Sequence, residues 1–152
     1  MRLISNRGNI EGPNSENENQ YAHIVYALNA GFDCKIDVRV HNNKLYVGHE
    51  EPIFEINFEW LENNYNKLWL QCMDTSVIEK FYELDQRGDF LHYFWHQSDM
   101  LSITNKGYIL SYSGEHLINR CIAMFPEIHD QDISKCYGIC SDKISNYTLI
   151  KQ

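Results

Sequence analysis

Asp33-Cys34-Lys35-Ile36-Asp37-Val38-Arg39-Val40 alternates apolar and polar side chains without a break. A repeat of two is the signature of a strand, so Cys34, Ile36 and Val38 leave one face and Lys35, Asp37 and Arg39 leave the other. The apolar face calls for a layer of helices. The polar face, carrying an ammonium, a carboxylate and a guanidinium, is either the solvated side of an edge strand or the wall of a site.

Working outward, Leu3 and Ile4 mark a first strand over residues 2–5, followed by a turn-like run over 6–19 rich in Asn, Gly, Pro and Glu. Tyr21, Ile24, Val25 and Leu28 repeat at helical spacing, and Gly31 supplies a stop. After the alternating strand, Asn42-Asn43 turns the chain into 44–49, a hairpin extension that Glu50, Glu51 and Pro52 break. A short helix fits 57–65, with Phe58, Leu61 and Tyr65 on one face and Glu59 in the first turn, where the helix dipole favours an acid. Residues 67–73 read as a strand. Ser76-x-x-Glu79 reads as a capping box for a helix lined by Val77, Ile78, Phe81 and Leu84 and ended by Gly88. Further strands are expected over 91–96, 108–112, 121–125 and 137–140, with a short helix near 115–119.

Strands alternating with helices predict a mostly parallel sheet. The expected class is therefore α/β, a compact or incomplete TIM (β/α) barrel with reduced helices, in one domain over 1–152. An eight-unit barrel typically takes ~250 residues, so with 152 residues and about seven strand candidates, a compact barrel, an incomplete one and an open sheet all stay open. The formal charge of -8 argues against nucleic acid and against an anionic membrane surface. No apolar run approaches the ~20 residues of a membrane span, and the expected setting is soluble and cytoplasmic. Five cysteines spread over distant segments do not form a secreted framework. Cys136 and Cys140 have a spacing that suits two zinc ligands, but no second close pair completes a set of four, so buried reduced thiols are expected.

Leu3-Ile4-Ser5-Asn6-Arg7-Gly8, followed by Gly12-Pro13-Asn14 and Glu16-Asn17, resembles the opening of glycerophosphodiester phosphodiesterases, a strand ending in His-Arg-Gly and then a Pro-Glu-Asn loop. Gly31-Phe32-Asp33-Cys34-Lys35-Ile36-Asp37-Val38 is similar to their Glu-x-Asp-Val strand, and Leu45-Tyr46-Val47-Gly48-His49-Glu50 to their His-Asp strand. Leu68-Trp69-Leu70-Gln71-Cys72-Met73 resembles a strand reading Glu-x-Lys, and Tyr137-Gly138-Ile139-Cys140-Ser141-Asp142 the last barrel strand. The resemblance implies a phospholipase-C-like TIM barrel that cleaves phosphodiesters with two histidines and a divalent cation such as Mg or Ca. Carried over by residue, Asn6 stands for the first histidine, and an amide neither takes nor gives a proton near neutral pH. Arg7 and His49 are retained, Asp37 keeps one acidic metal position, and Lys35 and Gln71 replace two others. Glu50 stands for the Asp beside the second histidine, and Met73 replaces a lysine.

Those replacements change the charge of the pocket. Lys35, Asp37 and the neighbouring Gln71 balance without a metal, and an ammonium repels a divalent cation at this range. The expectation is no cofactor, with Lys35 in the cation's place beside Asp37. The chain then reads as a pseudoenzyme or a binder of a small phosphorylated ligand or phosphodiester through Arg7, Lys35 and His49. The runner-up is an active metal-independent diesterase in which His49 moves the proton and Lys35 and Arg7 steady the phosphate. His96 and Asp99, just past a strand end, are further pocket candidates. His92, Trp95, His96 and Asp99 form one polar-aromatic cluster, whose plainer reading is a strand end with its histidine bonded to a backbone carbonyl; Trp60 and Trp69 are expected to pack, and His23, His41, His116 and His129 to lie on the surface without partners.

Overall fold

The computed structural model describes residues 1–112 and 117–151. In chain order the elements are β1 (Arg2–Asn6), α1 (Tyr21–Asn29), β2 (Asp33–His41), β3 (Lys44–Val47), β4 (Phe54–Glu55), α2 (Phe58–Asn64), β5 (Leu68–Cys72), α3 (Thr75–Leu84), β6 (Tyr93–Trp95), β7 (Leu101–Ile103), β8 (Ile109–Ser111), β9 (Cys121–Met124) and β10 (Gly138–Ser141). Short 3-10 segments occupy Pro126–Ile128 and Ile144–Lys151. The expected helix near 115–119 falls partly on 113–116, outside the described residues, and 117–119 are not helical.

The protein is α/β, built on one mixed sheet of ten strands. Neighbours along the path β6-β5-β2-β1-β10-β9-β8 are all parallel. Each of these seven strands falls on one of the seven apolar runs read from the sequence. β3 extends β2 as an antiparallel hairpin and carries β4, while β7 pairs antiparallel with β8. The ladders leave the sheet open between β6 and β7. A single antiparallel bridge, Phe94 to Thr104, spans that gap. Asn105 reinforces it: its backbone N donates to Tyr93 O at 3.0 Å, and its side chain bonds Tyr93 N and Leu91 O at 2.9 Å each.

Three apolar clusters show how the sheet is covered. The largest lies between β2, β3 and β5 and the three helices, with Ile36, Val38, Leu61, Val77 and Phe81 fully buried. Each such side chain contributes on the order of 1.5–3 kcal/mol by leaving water. Cys34 and Cys72 lie in this layer, as their parity required. A second cluster joins Ile4, Trp69, Phe94, Leu110, Ile122, Met124 and Cys140 from six different strands, so the sheet curls around it. The third packs α1 and the last 3-10 segment against the outside of β1 and β10, through Leu3, Ala27, Ile139 and Ile144. All five cysteines are free and buried.

Local chemistry sets the helix starts, and in one case corrects the expected start. The cap of α3 is Asp74, whose carboxylate accepts from Ser76 N and Val77 N, and not the Ser76-x-x-Glu79 box. An aspartate in extended backbone two residues earlier satisfies the same orphan N–H groups, so the helix begins at Thr75. Asn57 caps α2 by accepting from Trp60 N at 2.9 Å. Tyr65, expected on the buried face of that helix, lies just past its end and is exposed.

Candidate functional site

Residues on the curled inner face gather at the C-terminal ends of β1, β2 and β5. Register places Asn6 beside Lys35 and Asp37 beside Gln71. All four are buried. After β1 the chain passes through left-handed backbone at Arg7 and Gly8, with φ of 55° and 90°. Glycine is required there: a Cβ at Gly8 would stand 2.7 Å from the His23 ring and 3.0 Å from its backbone carbon. This turn lets Arg7 N donate to Lys35 O at 2.7 Å and folds the guanidinium back over β2. His49 is set by a second tight turn, in which a Cβ at Gly48 would meet Glu51 O at 1.9 Å. Arg39 holds the turn by donating from Nε to His49 O at 2.9 Å.

Asp37 is the centre of the constellation. Lys35 Nζ lies 2.6 Å from Oδ1, and Arg7 Nε 2.8 Å and His49 Nδ1 3.0 Å from Oδ2. Arg7 Nε is close to the carboxylate but not aligned for a hydrogen bond, so this contact is charge pairing. Asn19 clamps Asp37 from both sides, donating from Nδ2 to Oδ2 at 2.9 Å and accepting from the backbone N at 3.2 Å. Burial opposes ionisation of Asp37, but Lys35, the His49 hydrogen bond and Arg7 outweigh it and hold the carboxyl far below the usual carboxylate range. His49 Nδ1 lies 3.0 Å from Asp37 Oδ2 and 2.8 Å from Arg7 Nη2, whose contact with Nε2 is longer at 3.3 Å; Nδ1 donates to the carboxylate in one tautomer and accepts from the guanidinium in the other.

A second layer supports the first. Arg7 Nη1 donates to Glu18 Oε2 at 3.0 Å. Asn9 Nδ2 bridges Glu18 and Asp142 at 2.9 and 2.8 Å, and Asn6 Nδ2 donates to Asp142 at 2.9 Å. Burial raises the Glu18 carboxyl, yet its hydrogen bonds from Asn9 and Arg7 leave it below its ordinary value. In the loop whose Glu16-Asn17 carries the resemblance, it is Glu18 and Asn19 that face the network, while Glu16 and Asn17 are exposed. The run Glu16-Asn17-Glu18-Asn19 repeats one dipeptide, and the copy that abuts α1 is the one turned inward. His23, expected to be without a partner, is half-buried and bonds Asn9 Oδ1 at 3.0 Å. His41 and His129 are exposed, and His116 lies outside the described residues.

Over this network opens a cavity of about 250 Å³. Arg7, Lys35, His49 and His96 are its nitrogen bases, Asn6, Gln71 and Gln97 its amides, and Met73, Met124 and Phe125 its apolar walls. His96 stacks on Tyr112 with centroids 3.9 Å apart and bonds Ser102 Oγ at 2.7 Å. Burial, then repulsion from Lys35, lowers its pKa. Asp99 is exposed and does not line the cavity. His92 shares a hydrogen bond with Thr104 Oγ1, 2.8 Å away. It lies at the other end of β6, against Trp69.

The donor set does not fit a divalent cation. Asp37 offers no free oxygen to a metal, because Lys35, Arg7, Asn19 and His49 surround it. Hard cations take several oxygen ligands, and two fixed positive groups at this distance repel them. Among the described residues no three His, Cys, Asp or Glu side chains gather as they would around an ion. No helix among them is long and apolar enough to cross a membrane. No family model, curated protein or solved structure matches this chain.

Proposed function

We propose that this chain is a miniature phospholipase-C-like phosphodiesterase barrel that binds a small phosphorylated molecule and has lost metal-dependent hydrolysis. One observation carries the reading. In a chain with 21 acidic residues against 13 Lys and Arg, the cavity wall holds Arg7, Lys35 and two histidines and, among the described residues, no carboxylate. Lys35 has three ammonium protons and Asp37 as its partner, which leaves two N–H donors for an anion. A cation fixed in a buried, low-dielectric wall attracts phosphate more strongly than one in water.

Barrel closure belongs to the same proposal. The inner cluster draws on six strands, and the Phe94 to Thr104 bridge with Asn105 ties β6 to the chain after β7. A ring β1-β2-β5-β6-β7-β8-β9-β10 with reduced helices accounts for both features. It also places the cavity at the C-terminal strand ends, where barrels of this kind carry their sites.

The pairing of His49 Nδ1 with Asp37 favours a second reading, an active metal-independent diesterase, because an oriented imidazole is how a general base is held. Calorimetric titration with inorganic phosphate and ethyl phosphate separates binding from its absence. Saturable binding is expected, weakened about tenfold or more in Lys35→Met, the worth of one charge-assisted hydrogen bond. Failure of both ligands to bind overturns the proposal. Turnover of bis(p-nitrophenyl) phosphate is expected at background. Chelator-sensitive hydrolysis refutes the loss of the metal, and chelator-insensitive hydrolysis that disappears in His49→Ala establishes the second reading.

A further inference from the structure

The outer face of the sheet is covered unevenly. Helices α1, α2 and α3 lie over β2, β3 and β5, and strands of a parallel sheet are normally buried on both faces. Among the described residues that cover is missing from β6 to β8. The connections 96–100 and 104–108 are five residues each, and no described helix lies between α3 and β9. Phe94 and Leu110 belong to the inner cluster and Ser102 pairs with Leu110, so parity turns Tyr93, Trp95, Leu101, Ile103 and Ile109 outward. The Phe94 to Thr104 bridge sets Trp95 opposite Ile103, which pairs with Ile109, and an apolar row thus crosses three strands. Trp95 is 37% exposed, Leu101 39% and Ile103 68%.

We infer that this bare face is the contact surface for a second copy of the chain, packed sheet to sheet about a twofold axis. Size and charge carry the inference. The five outward side chains present on the order of 400 Å² of apolar surface, the size at which a patch marks a contact site. Interfaces are about 57% apolar, so the patch corresponds to about 700 Å² buried per copy and about 1,400 Å² per pair, inside the range of about 1,200–2,000 Å² that stable pairs bury. Two copies carrying -8 each repel one another, and contact is favoured where neither brings net charge. From Tyr93 to Tyr112 the Asp, Glu, Lys and Arg residues are one aspartate, Asp99, and one lysine, Lys106. Lys106 donates to the backbone carbonyls of Asp89 and Phe90. A charged partner finds no complement on such a face, whereas a second copy brings the same neutral row, and a twofold contact matches a surface to itself. Trp95 supplies the large ring that interfaces favour at their centre.

Sedimentation velocity of the full chain from about 1 to 200 µM tests this, and a monomer–dimer equilibrium with a dissociation constant in the micromolar range is expected. Raising the salt concentration should tighten the dimer, because it screens the repulsion between the two copies and leaves apolar contact intact. Ile103→Asp places a charge on each side of the contact and is expected to abolish the dimer. Ile128→Asp adds the same charge at an equally exposed isoleucine, 68%, on the 3-10 segment after β9. It is expected to leave the dimer within about twofold. Ile103→Thr keeps a β-branched side chain suited to a strand, and should weaken the dimer about tenfold, since each copy loses about one buried methylene's worth of contact. A monomer at every concentration overturns the inference. So does a dimer that survives Ile103→Asp, that Ile128→Asp disrupts equally, or that salt dissolves. Should Ile103→Asp fail to fold by urea denaturation, an unweakened dimer in Ile103→Thr overturns it.

Discussion

At the C-terminal ends of β1, β2 and β5, Asn6, Lys35, Asp37 and Gln71 are buried around a cavity of about 250 Å³, and an ion pair joins Lys35 to Asp37. At the opposite ends, Trp69, His92, Tyr108 and Tyr137 sit at or just before their strand starts and pack ring against ring at 4.1 to 5.7 Å, leaving about 170 Å³. The two ends treat a histidine differently. His49 is half-exposed and held to Asp37, whereas His92 is enclosed by Trp69 and Tyr108 and pushed down to about 3, first by burial and then by Lys106. One end gathers three charged side chains around one carboxylate, and the other is packed mainly by rings, with the Arg2–Asp33 pair and Lys106 at its edge. Buried charges around open space cost stability that a ring-packed end does not, which supports the polar end as the proposed site.

The largest effect that would break this contrast is the removal of Asp37. Asp37→Leu leaves Lys35 buried without a counter-charge, a change that costs about 3–5 kcal/mol. Urea denaturation is expected to show a midpoint lowered accordingly. Because the loss comes from an orphaned cation, Lys35→Met together with Asp37→Leu should recover much of it. A wild-type midpoint in Asp37→Leu would mean that the ion pair does not hold the polar end.

Acid unfolding sharpens the contrast, because Asp37 at one end and His92 at the other respond in different pH windows. His92 takes up a proton near 6.5 when unfolded but only at about 3 when folded. Its neutral burial therefore contributes stability that is complete above pH 6.5 and is lost as pH falls toward 3. The slope is at most ~1.4 kcal/mol per pH unit. Asp37 has a folded pKa below its unfolded value of about 3.9, so its contribution is complete above that pH and disappears only under stronger acid. Stability measured from pH 7 to 4 is thus expected to fall, most of all through His92 and also through His23 and His96, whose pKa values burial lowers, and His92→Gln to reduce that fall. An unchanged slope in His92→Gln would move the acid sensitivity elsewhere.

Much of this was legible in the sequence because the parallel strands are buried apolar runs whose inner and outer residues separate by parity. Lys35, Asp37 and Gln71 were placed on one face that way, and register confirms it. β4 and β7, of two and three residues, are too short to show any period. They form because β3 and β8 offer them an edge. The supporting shell was less visible, because Glu18, Asn19, Asn9 and Asp142 meet through bonds between distant loops. Such contacts leave no local pattern. Asp99 was drawn in by closeness along the chain, but the strand before it ends at Trp95 and the side chain is left in solvent.

The smallest effect is at the aromatic end and tests whether its polar atoms matter at all. Trp69 Nε1 donates to Asp33 Oδ2 at 3.1 Å, while Arg2 Nη1 holds the other oxygen at 3.2 Å. Trp69→Phe keeps an aromatic ring against His92 and Tyr108 but removes the donor. With Arg2 still in place, the carboxylate is not orphaned, so the expected loss is about 1 kcal/mol, the net worth of one hydrogen bond, together with a modest packing cost. Phosphate affinity should not change, since Trp69 does not line the upper cavity. A loss comparable to that of Asp37→Leu would show that the aromatic end depends on the Arg2–Asp33 pair as heavily as the polar end depends on Asp37, and the contrast between a ring-packed end and a charge-paired end would then fail.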